Sequence, residues 1–341
     1  MNMVSRTFYS VGNGLFTFEQ NDYCCSVYDC GGENLKTIQN ALKRMPITKG
    51  CTITILFISH YDNDHVNGLR DLLNDYNVKK VILPMLTPLE KFILSSKSGL
   101  LKSTQSLINN PYDFITEISP ETKVVYVEDD DEEQRRNNEP IDIGRLNKTL
   151  ASGTPILVGN WQYIAYNIKS LKISDVLKFY NGLGFLVTPS MQDVINKLKG
   201  LDPNNLKRII KGILTKDEIQ RYNDYCMTVW SGPILNSHDG CLYTGDYNAK
   251  KNFARLYSAY KSQWCNTSIV QIPHHGSKYN YHQSLSSPCF KNVISASAGP
   301  YQSKKIVNPN DVINILNNNG LPYFATNKNG DVILYASDKV N

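Results

Sequence analysis

The run Thr52–Ser59 (Thr-Ile-Thr-Ile-Leu-Phe-Ile-Ser) constrains the fold more than any other stretch of this chain. Ile53, Ile55, Leu56, Phe57 and Ile58 put apolar side chains on both faces of an extended segment. It therefore reads as a central strand buried on both sides. A helix over roughly Asn34–Arg44 precedes it, with Leu35, Ile38, Leu42 and Met45 on one stripe. A second helix, Val66–Tyr76, and a second buried strand, Lys80–Leu83, complete a βαβ unit. At its carboxyl end the run opens directly into His60-Tyr61-Asp62-Asn63-Asp64-His65. The carboxyl ends of strands are where α/β sheets place their sites.

The rest of the chain supplies a partner for that sheet. Arg6–Ser10, a Val11-Gly12-Asn13-Gly14 turn, Leu15–Glu19 and Cys25–Tyr28 read as a meander ahead of Asp29. Trp161–Ile168 alternates like an edge strand, and Cys226–Trp230, Gly240–Thr244, Ser268–Ile272 and Asn292–Ser297 are further strands. A helix is expected near Asp311–Asn317, then a hairpin from Tyr323–Thr326 to Val332–Tyr335 across Asn329-Gly330. Residues 85–155 read as a variable insertion or loop region, with a solvated acidic run at Glu128–Glu133. Residues 169–222 read as a helix-rich insertion (Ser174–Phe179, Met191–Lys199, Leu206–Leu214), with Ser174 as an N-cap. Two β-rich halves around this middle fit one domain over 1–341, an α/β (α+β) chain folded as a four-layer αββα sandwich.

Composition excludes little. The 341 residues, 41% hydrophobic and 20% charged, suit a soluble globular protein, and a net charge of +5 suits an anionic substrate without marking a nucleic-acid-binding tail. No stretch approaches membrane-span length and residues 1–20 lack a leader pattern, so the expected location is cytoplasmic, with no membrane partner. Eight cysteines without a C-x-x-C pair read as reduced thiols.

The chemistry is concentrated. Four of only six histidines fall in two clusters, each following an apolar strand. His60, Asp62, Asp64 and His65 are four potential ligands within six residues, and a bound cation relieves the cost of holding such groups in a partly dry cleft. The i, i+2 spacing sends His60 and Asp62 to one side of an extended turn, while Asp64 and His65 begin a helix and point elsewhere. One segment can thus feed two metal positions. Asp246, in Thr244-Gly245-Asp246, is by itself an ordinary turn carboxylate. In Pro273-His274-His275-Gly276-Ser277 the adjacent histidines point opposite ways if extended, one as ligand and one as its support or as an acid. Gly276-Ser277 offers N–H groups to an anion, with Ser277 as a helix cap and Lys278 adding charge. His238, in a turn-like Asn-Ser-His-Asp-Gly, and His282 read as surface or satisfied histidines.

Together, His60-x-Asp62-x-Asp64-His65, Asn223-x-x-Cys-Met-Thr-Val, Thr244-Gly245-Asp246 and Pro273-His274-His275-Gly276-Ser277 resemble the metallo-β-lactamase superfamily. They come closest to the branch typified by the hydrolase domain of the DNA-uptake protein ComEC and related phosphodiesterases. Val11-Gly12-Asn13-Gly14 and Tyr28-Asp29-Cys30-Gly31 resemble that branch's first hairpin. The similarity runs through the chain in order, except for about 85–155 and 169–222.

The resemblance implies two divalent ions, zinc or manganese, with His60 and Asp62 at one, Asp64 and His65 at the other, and Asp246 bridging. One of His274 and His275 would complete a coordination sphere, and Asp29 would sit behind the cluster. Where relatives carry a late His-Pro-His, this chain has Asn308-Pro309-Asn310. An amide oxygen is a weaker ligand than imidazole, which leaves one site labile, vacant or selective for an oxygen-preferring cation.

The function implied is metal-dependent hydrolysis by an ion-activated hydroxide, with Asp64, His274 and His275 closest to the chemistry. The expected substrate is a phosphodiester, DNA or RNA or smaller, met by Ser277, Lys278 and the neighbouring Lys250, Lys251, Lys304 and Lys305. Two alternatives stand beside it. One is an ester, lactone or amide hydrolase. The other is a degenerate binding or regulatory subunit of a bacterial defence system, meeting a protein partner through its insertions.

Overall fold

In a computed structural model the described residues are 3–95, 99–130, 138–168, 173–187, scattered positions from 189 to 212, 226–235, 239–298, 309–327 and 330–337. Two eight-stranded sheets face each other. Across the first, the strands run in the order Thr149–Leu150, Lys123–Val127, Lys80–Pro84, Ile55–Phe57, Cys25–Cys30, Phe16–Gln20, Met3–Phe8, Val332–Ser337. Across the second they run Tyr323–Asn327, Lys291–Ala298, Thr267–Gln271, Gly240–Tyr243, Met227–Pro233, Trp161–Asn167, Pro155–Val158, Ile141–Asp142.

Alternation along the strands builds the layers. In the first sheet Val27, Leu56, Val81 and Val124 face outward onto helices, among them Leu35–Leu42, Leu69–Asp75 and Pro111–Ile118. Their neighbours Tyr28, Phe57, Ile82 and Val125 face inward, meeting Tyr163, Val229, Tyr243 and Val293 of the second sheet. The far face of the second sheet packs Trp230, Leu242 and Val270 against Leu256 of helix Ala249–Ala259 and Val312 of helix Pro309–Asn318. This is the four-layer αββα sandwich expected from the sequence. Between the sheets lies a buried ion pair, Arg6 Nε to Glu19 at 2.6 Å. Glu19 also accepts from Trp161 Nε1 (3.1 Å), the Ser231 hydroxyl (2.5 Å) and the Tyr163 and Tyr243 hydroxyls.

Several expectations change. Thr52–Ser59 is not one strand: Thr52–Ile53 pairs with Asn77–Val78 in a separate ribbon, and Ile55–Phe57 alone enters the sheet. Trp161–Asn167 is not an edge strand, because it pairs on both sides, with Pro155–Val158 and Met227–Pro233. Its alternation reflects two packed layers rather than solvent. The C-terminal hairpin does not form either. Tyr323–Asn327 joins the second sheet beside Lys291–Ala298, whereas Val332–Ser337 crosses to the first and pairs with Met3–Phe8. A short Asn-Gly link suits a hairpin locally, but here the two strands form the outermost strands of opposite sheets.

Residues 85–155 carry helices Pro88–Ser95, Lys102–Asn109 and Pro111–Ile118 and give strands to both sheets. In 169–222 the helix Ile173–Gly182 contains Ser174 rather than being capped by it. Most of the expected helices at 191–199 and 206–214, and Asp131–Glu133 of the acidic run, lie outside the described residues. Among the described residues no helix is long and apolar enough to cross a membrane. The eight cysteines are free thiols.

Candidate metal centre

The side chains of the candidate centre gather at the carboxyl ends of strands. Asp29 comes from Cys25–Cys30, and Ser59 and His60 follow Ile55–Phe57. Asp246 follows Gly240–Tyr243, and His274 and His275 follow Thr267–Gln271. The chain after His60 turns at once into the short helix Asn63–Val66, which carries Asp64 and His65. The N-terminal hairpin is pressed against it: Leu15 N–H donates to the Asp64 carbonyl at 3.1 Å, and a Cβ on Gly31 would overlap that carbonyl.

Three imidazoles are held from behind. Asp29 accepts the Ser59 backbone N–H at 2.7 Å and the Ser59 hydroxyl at 2.6 Å. Having donated its one hydrogen, the hydroxyl is left to accept from His60 Nδ1 at 2.9 Å. His65 Nδ1 donates to Asp29 Oδ2 at 2.7 Å, and His275 Nδ1 donates to the Ser295 carbonyl at 3.0 Å. Each ring, when neutral, therefore presents a bare Nε2 lone pair. The Nε2 atoms of His60, His65 and His275 are buried and lack a hydrogen-bond partner, as does Asp246 Oδ1.

Asp246 stands between two sets of donors. Its Oδ1 lies 3.2 Å from His65 Nε2 and 3.8 Å from His275 Nε2, which is itself 3.5 Å from Asp64 Oδ2. Its Oδ2 lies 3.7 Å from His60 Nε2 and 3.6 Å from His274 Nε2. Ligands about 2.1 Å from a tetrahedral ion are about 3.4 Å from one another, so these separations fit donors around a cation. Among the described residues, His60–His65–Asp246 and Asp64–His65–His275 each bring donor atoms within 4.8 Å of one another. Asp62 joins neither group. It holds the N-cap position in extended conformation, and its carbonyl accepts from His65 and Val66 N–H.

The electrostatics follow from burial and from the crowd of charges. Burial, assisted by the neighbouring His65, lowers His60 to about 4 despite Asp246. Burial also opposes charge on His65, but Asp246 and Asp29 outweigh it and raise His65 well above the usual histidine value. His275 is raised in the same way by Asp246 and Asp64. Burial disfavours ionised Asp246, yet His274, His65 and His275 hold it well below the usual carboxylate value.

The histidine pair is not extended, as its spacing suggested. His274 and His275 have φ of 50° and 53°, and with Asp29 (57°) they are the non-glycine residues of positive φ among those described. Such backbone costs about 1 kcal/mol or more per residue and gathers at functional sites. Both rings consequently turn toward Asp246, one to each oxygen, instead of to opposite sides. His274 has a 28% exposed side chain and His275 a 4% exposed one, so His274 forms the rim.

The turn also corrects the anion reading. Gly276 N–H donates to the Pro273 carbonyl and Ser277 N–H to the His274 carbonyl, so neither is free for an anion. Ser277 is buried, its hydroxyl accepting from Tyr279 N–H at 3.3 Å, and Lys278 pairs with Asp311 at 2.9 Å. His282 stacks on Phe253 at 4.5 Å, the satisfied role expected of it. Gly276 rests against Pro309, so helix Pro309–Asn318, with exposed Asn310 in its first turn, adjoins the histidine turn. Asn308, His238, Asn223, Lys304 and Lys305 lie outside the described residues.

The supporting groups escaped sequence reasoning. Gln271 Oε1 accepts from both Thr244 and Gly245 N–H at 2.8 Å and so shapes the turn into Asp246. Asn280 Nδ2 fixes the Asp246 carbonyl at 2.9 Å. Ser59, a hydroxyl closing an apolar strand beside a histidine, carried a readable signal. The Ser295 carbonyl, being backbone, carried none.

No family model matches the chain, and no curated protein does either. Several solved structures similar to it carry metallo-beta-lactamase names, and one is a tRNase Z. The metallo-beta-lactamase fold protein YhfI from Bacillus subtilis aligns over 98% of this chain and 100% of its own, at 9% identity and a TM-score of 0.41. Human tRNase Z, short form, covers 79% of this chain and 77% of its own, at 11% identity and TM-score 0.39. MEM-A1, a subclass B3 metallo-beta-lactamase from a soil metagenome library, covers 79% of this chain and 79% of its own, at 10% identity and TM-score 0.31. At such identities and scores the likeness is distant, and the chemistry has to be read from the side chains.

Proposed function

We propose that the chain is a metal-dependent hydrolase acting on phosphodiesters. The observation that carries this is the convergence of three buried, partnerless imidazole nitrogens on a carboxylate that is itself short of a partner. Leaving so many polar atoms dry costs about 1–3 kcal/mol each, and divalent cations remove that cost. Asp64, His65, His275 and Asp246 Oδ1 would hold one ion, and His60, His274 and Asp246 Oδ2 the other. Nitrogen and carboxylate donors suit zinc or manganese.

When bound, divalent ions supply Lewis acidity that activates water and neutralises charge on a phosphoryl oxygen. The chain's own residues do the rest. Asp29, Ser59 and the Ser295 carbonyl keep the imidazoles in the tautomer that binds. Asp246 fixes the spacing of the two positions, and His274, at the exposed rim, borders the face from which a substrate would approach. The phosphodiester reading draws on the sequence resemblance to the ComEC branch and on Lys250, whose Nζ reaches the histidine turn and donates to the Lys278 carbonyl at 3.3 Å.

The test is cleavage of DNA, RNA and bis-nitrophenyl phosphate by zinc- or manganese-loaded protein, beside a chromogenic ester and lactone panel. Cleavage confined to the esters would replace this reading with a carboxylic ester hydrolase. Failure on every substrate, with less than one equivalent of bound metal, would leave a binding subunit.

A further inference from the structure

A concavity lies behind the short helix Asn63–Val66, between it and helices Lys102–Asn109 and Pro111–Ile118. It has a volume of about 140 Å³. Its wall carries hydrogen-bonding capacity that the described residues leave unused. The Thr104 hydroxyl is buried, with the residue 2% exposed, and has no partner. The Arg70 guanidinium lies over the Phe114 ring at 5.1 Å and makes no ion pair among the described residues. Ser103 stands beside Thr104 in the first turn of Lys102–Asn109, whose N-cap residue Leu101 gives no side-chain cap. The first-turn N–H groups, two hydroxyls and a guanidinium make one corner rich in donors, suited to a carboxylate.

The remaining lining is of two other kinds. Asp71 contributes a carboxylate, of which Oδ2 accepts from Gln39 Nε2 at 3.1 Å. Val66, Leu107 and Phe114 supply an apolar floor, with Leu35 at its edge. A simple anion would satisfy the donors but meet Asp71, and an amine would do the reverse. We propose that this cavity binds a small apolar α-amino acid. Its carboxylate meets Arg70, Ser103 and Thr104, its ammonium meets Asp71, and its side chain covers the apolar floor.

The site does not depend on the hydrolase reading. It adjoins the metal centre covalently, since Val66 and Asn67 follow His65, and the Asn67 amide clamps Gly32 through both its oxygen (3.0 Å) and its nitrogen (2.7 Å). Occupancy would steady the helix that presents Asp64 and His65.

The experiment is calorimetric titration of the full chain with L-valine, beside isovalerate, which lacks the ammonium, and isobutylamine, which lacks the carboxylate. Saturable binding of L-valine near one equivalent is expected, with both analogues at least about tenfold weaker. Arg70→Gln and Thr104→Val should each weaken L-valine by about tenfold or more, while Thr104→Ser retains it and metal content stays at the wild-type level. Absence of saturable L-valine binding, as for a cavity holding ordered water only, overturns the proposal. Equal binding of isovalerate, or an affinity unchanged in both Arg70→Gln and Thr104→Val, overturns it as well.

Discussion

Asp29 Oδ2 accepts the Nδ1 proton of His65 at 2.7 Å, with both side chains fully buried. The same carboxylate takes both donors of Ser59, so one acid orients two of the imidazoles. Asp29→Asn offers a donor where an acceptor is needed and releases the His65 tautomer. Metal affinity should fall by about 10–100-fold, read by competition with a chromogenic chelator. An unchanged affinity would show that His65 is not a ligand. Ser59→Ala should weaken binding less, because it frees only His60.

Asp246 spans both positions, so its loss should empty both. Asp246→Ala is expected to reduce bound metal to well under one equivalent by elemental analysis. In the wild type, graded chelation should remove the ion beside His60 and His274 first, because His274 is on the exposed rim. A single, concerted loss of both ions would contradict this order.

Metal uptake should release protons. His65 is raised well above the usual histidine value in the metal-free protein and His275 is raised too, so a proton on these rings must be displaced by an incoming cation. His60, lowered to about 4, is already neutral and contributes none. Apparent affinity should therefore climb with pH through and above 6.5. For stability of the metal-free fold the signs follow the shifts. His65 stabilises most below 6.5 and that gain fades as pH rises through its higher folded value, whereas Asp246 stabilises above 3.8 and its gain is lost only in stronger acid. Zinc addition in unbuffered solution, followed by a pH electrode, reads the proton release, and none at pH 7 would refute it.

The Arg6–Glu19 pair sits far from water between the sheets. Glu19→Ala strands the guanidinium and should cost about 3–5 kcal/mol by urea denaturation, with metal content per folded molecule unchanged. Replacing both, as Arg6→Met with Glu19→Leu, should recover most of the loss. A single variant as stable as wild type would show that water reaches the pair.

Gly31 permits the closest approach in the site, against the Asp64 carbonyl. Gly31→Ala should destabilise by about 1–3 kcal/mol and weaken metal binding too, since the hairpin must retreat from the helix that carries Asp64.

Local patterns carried much of this. The apolar run ending at Ser59, the four polar ligand types of 60–65 and the His274–His275 pair announced a centre, because burial periodicity and residue type are written in adjacent positions. What failed depended on distant partners. Trp161–Asn167 shows the same alternation whether it faces solvent or a second layer, and the Val332–Ser337 strand cannot signal that its partner is Met3–Phe8. The orientation of His274 and His275 followed from left-handed backbone that their side chains do not encode. Gln271 and Asn280, which shape the Asp246 turn, look like ordinary surface amides in sequence.

The pairing of Met3–Phe8 with Val332–Ser337 bears on how the protein is made. A ribosome delivers the first of these strands more than 300 residues before the second. Throughout elongation the nascent sheet offers an unpaired edge, open to other chains and to chaperones. Asp246 and the histidine turn also emerge long after His60 and His65. A cation shared by both sets of donors could therefore be held only after the later strands have emerged and packed on the earlier ones.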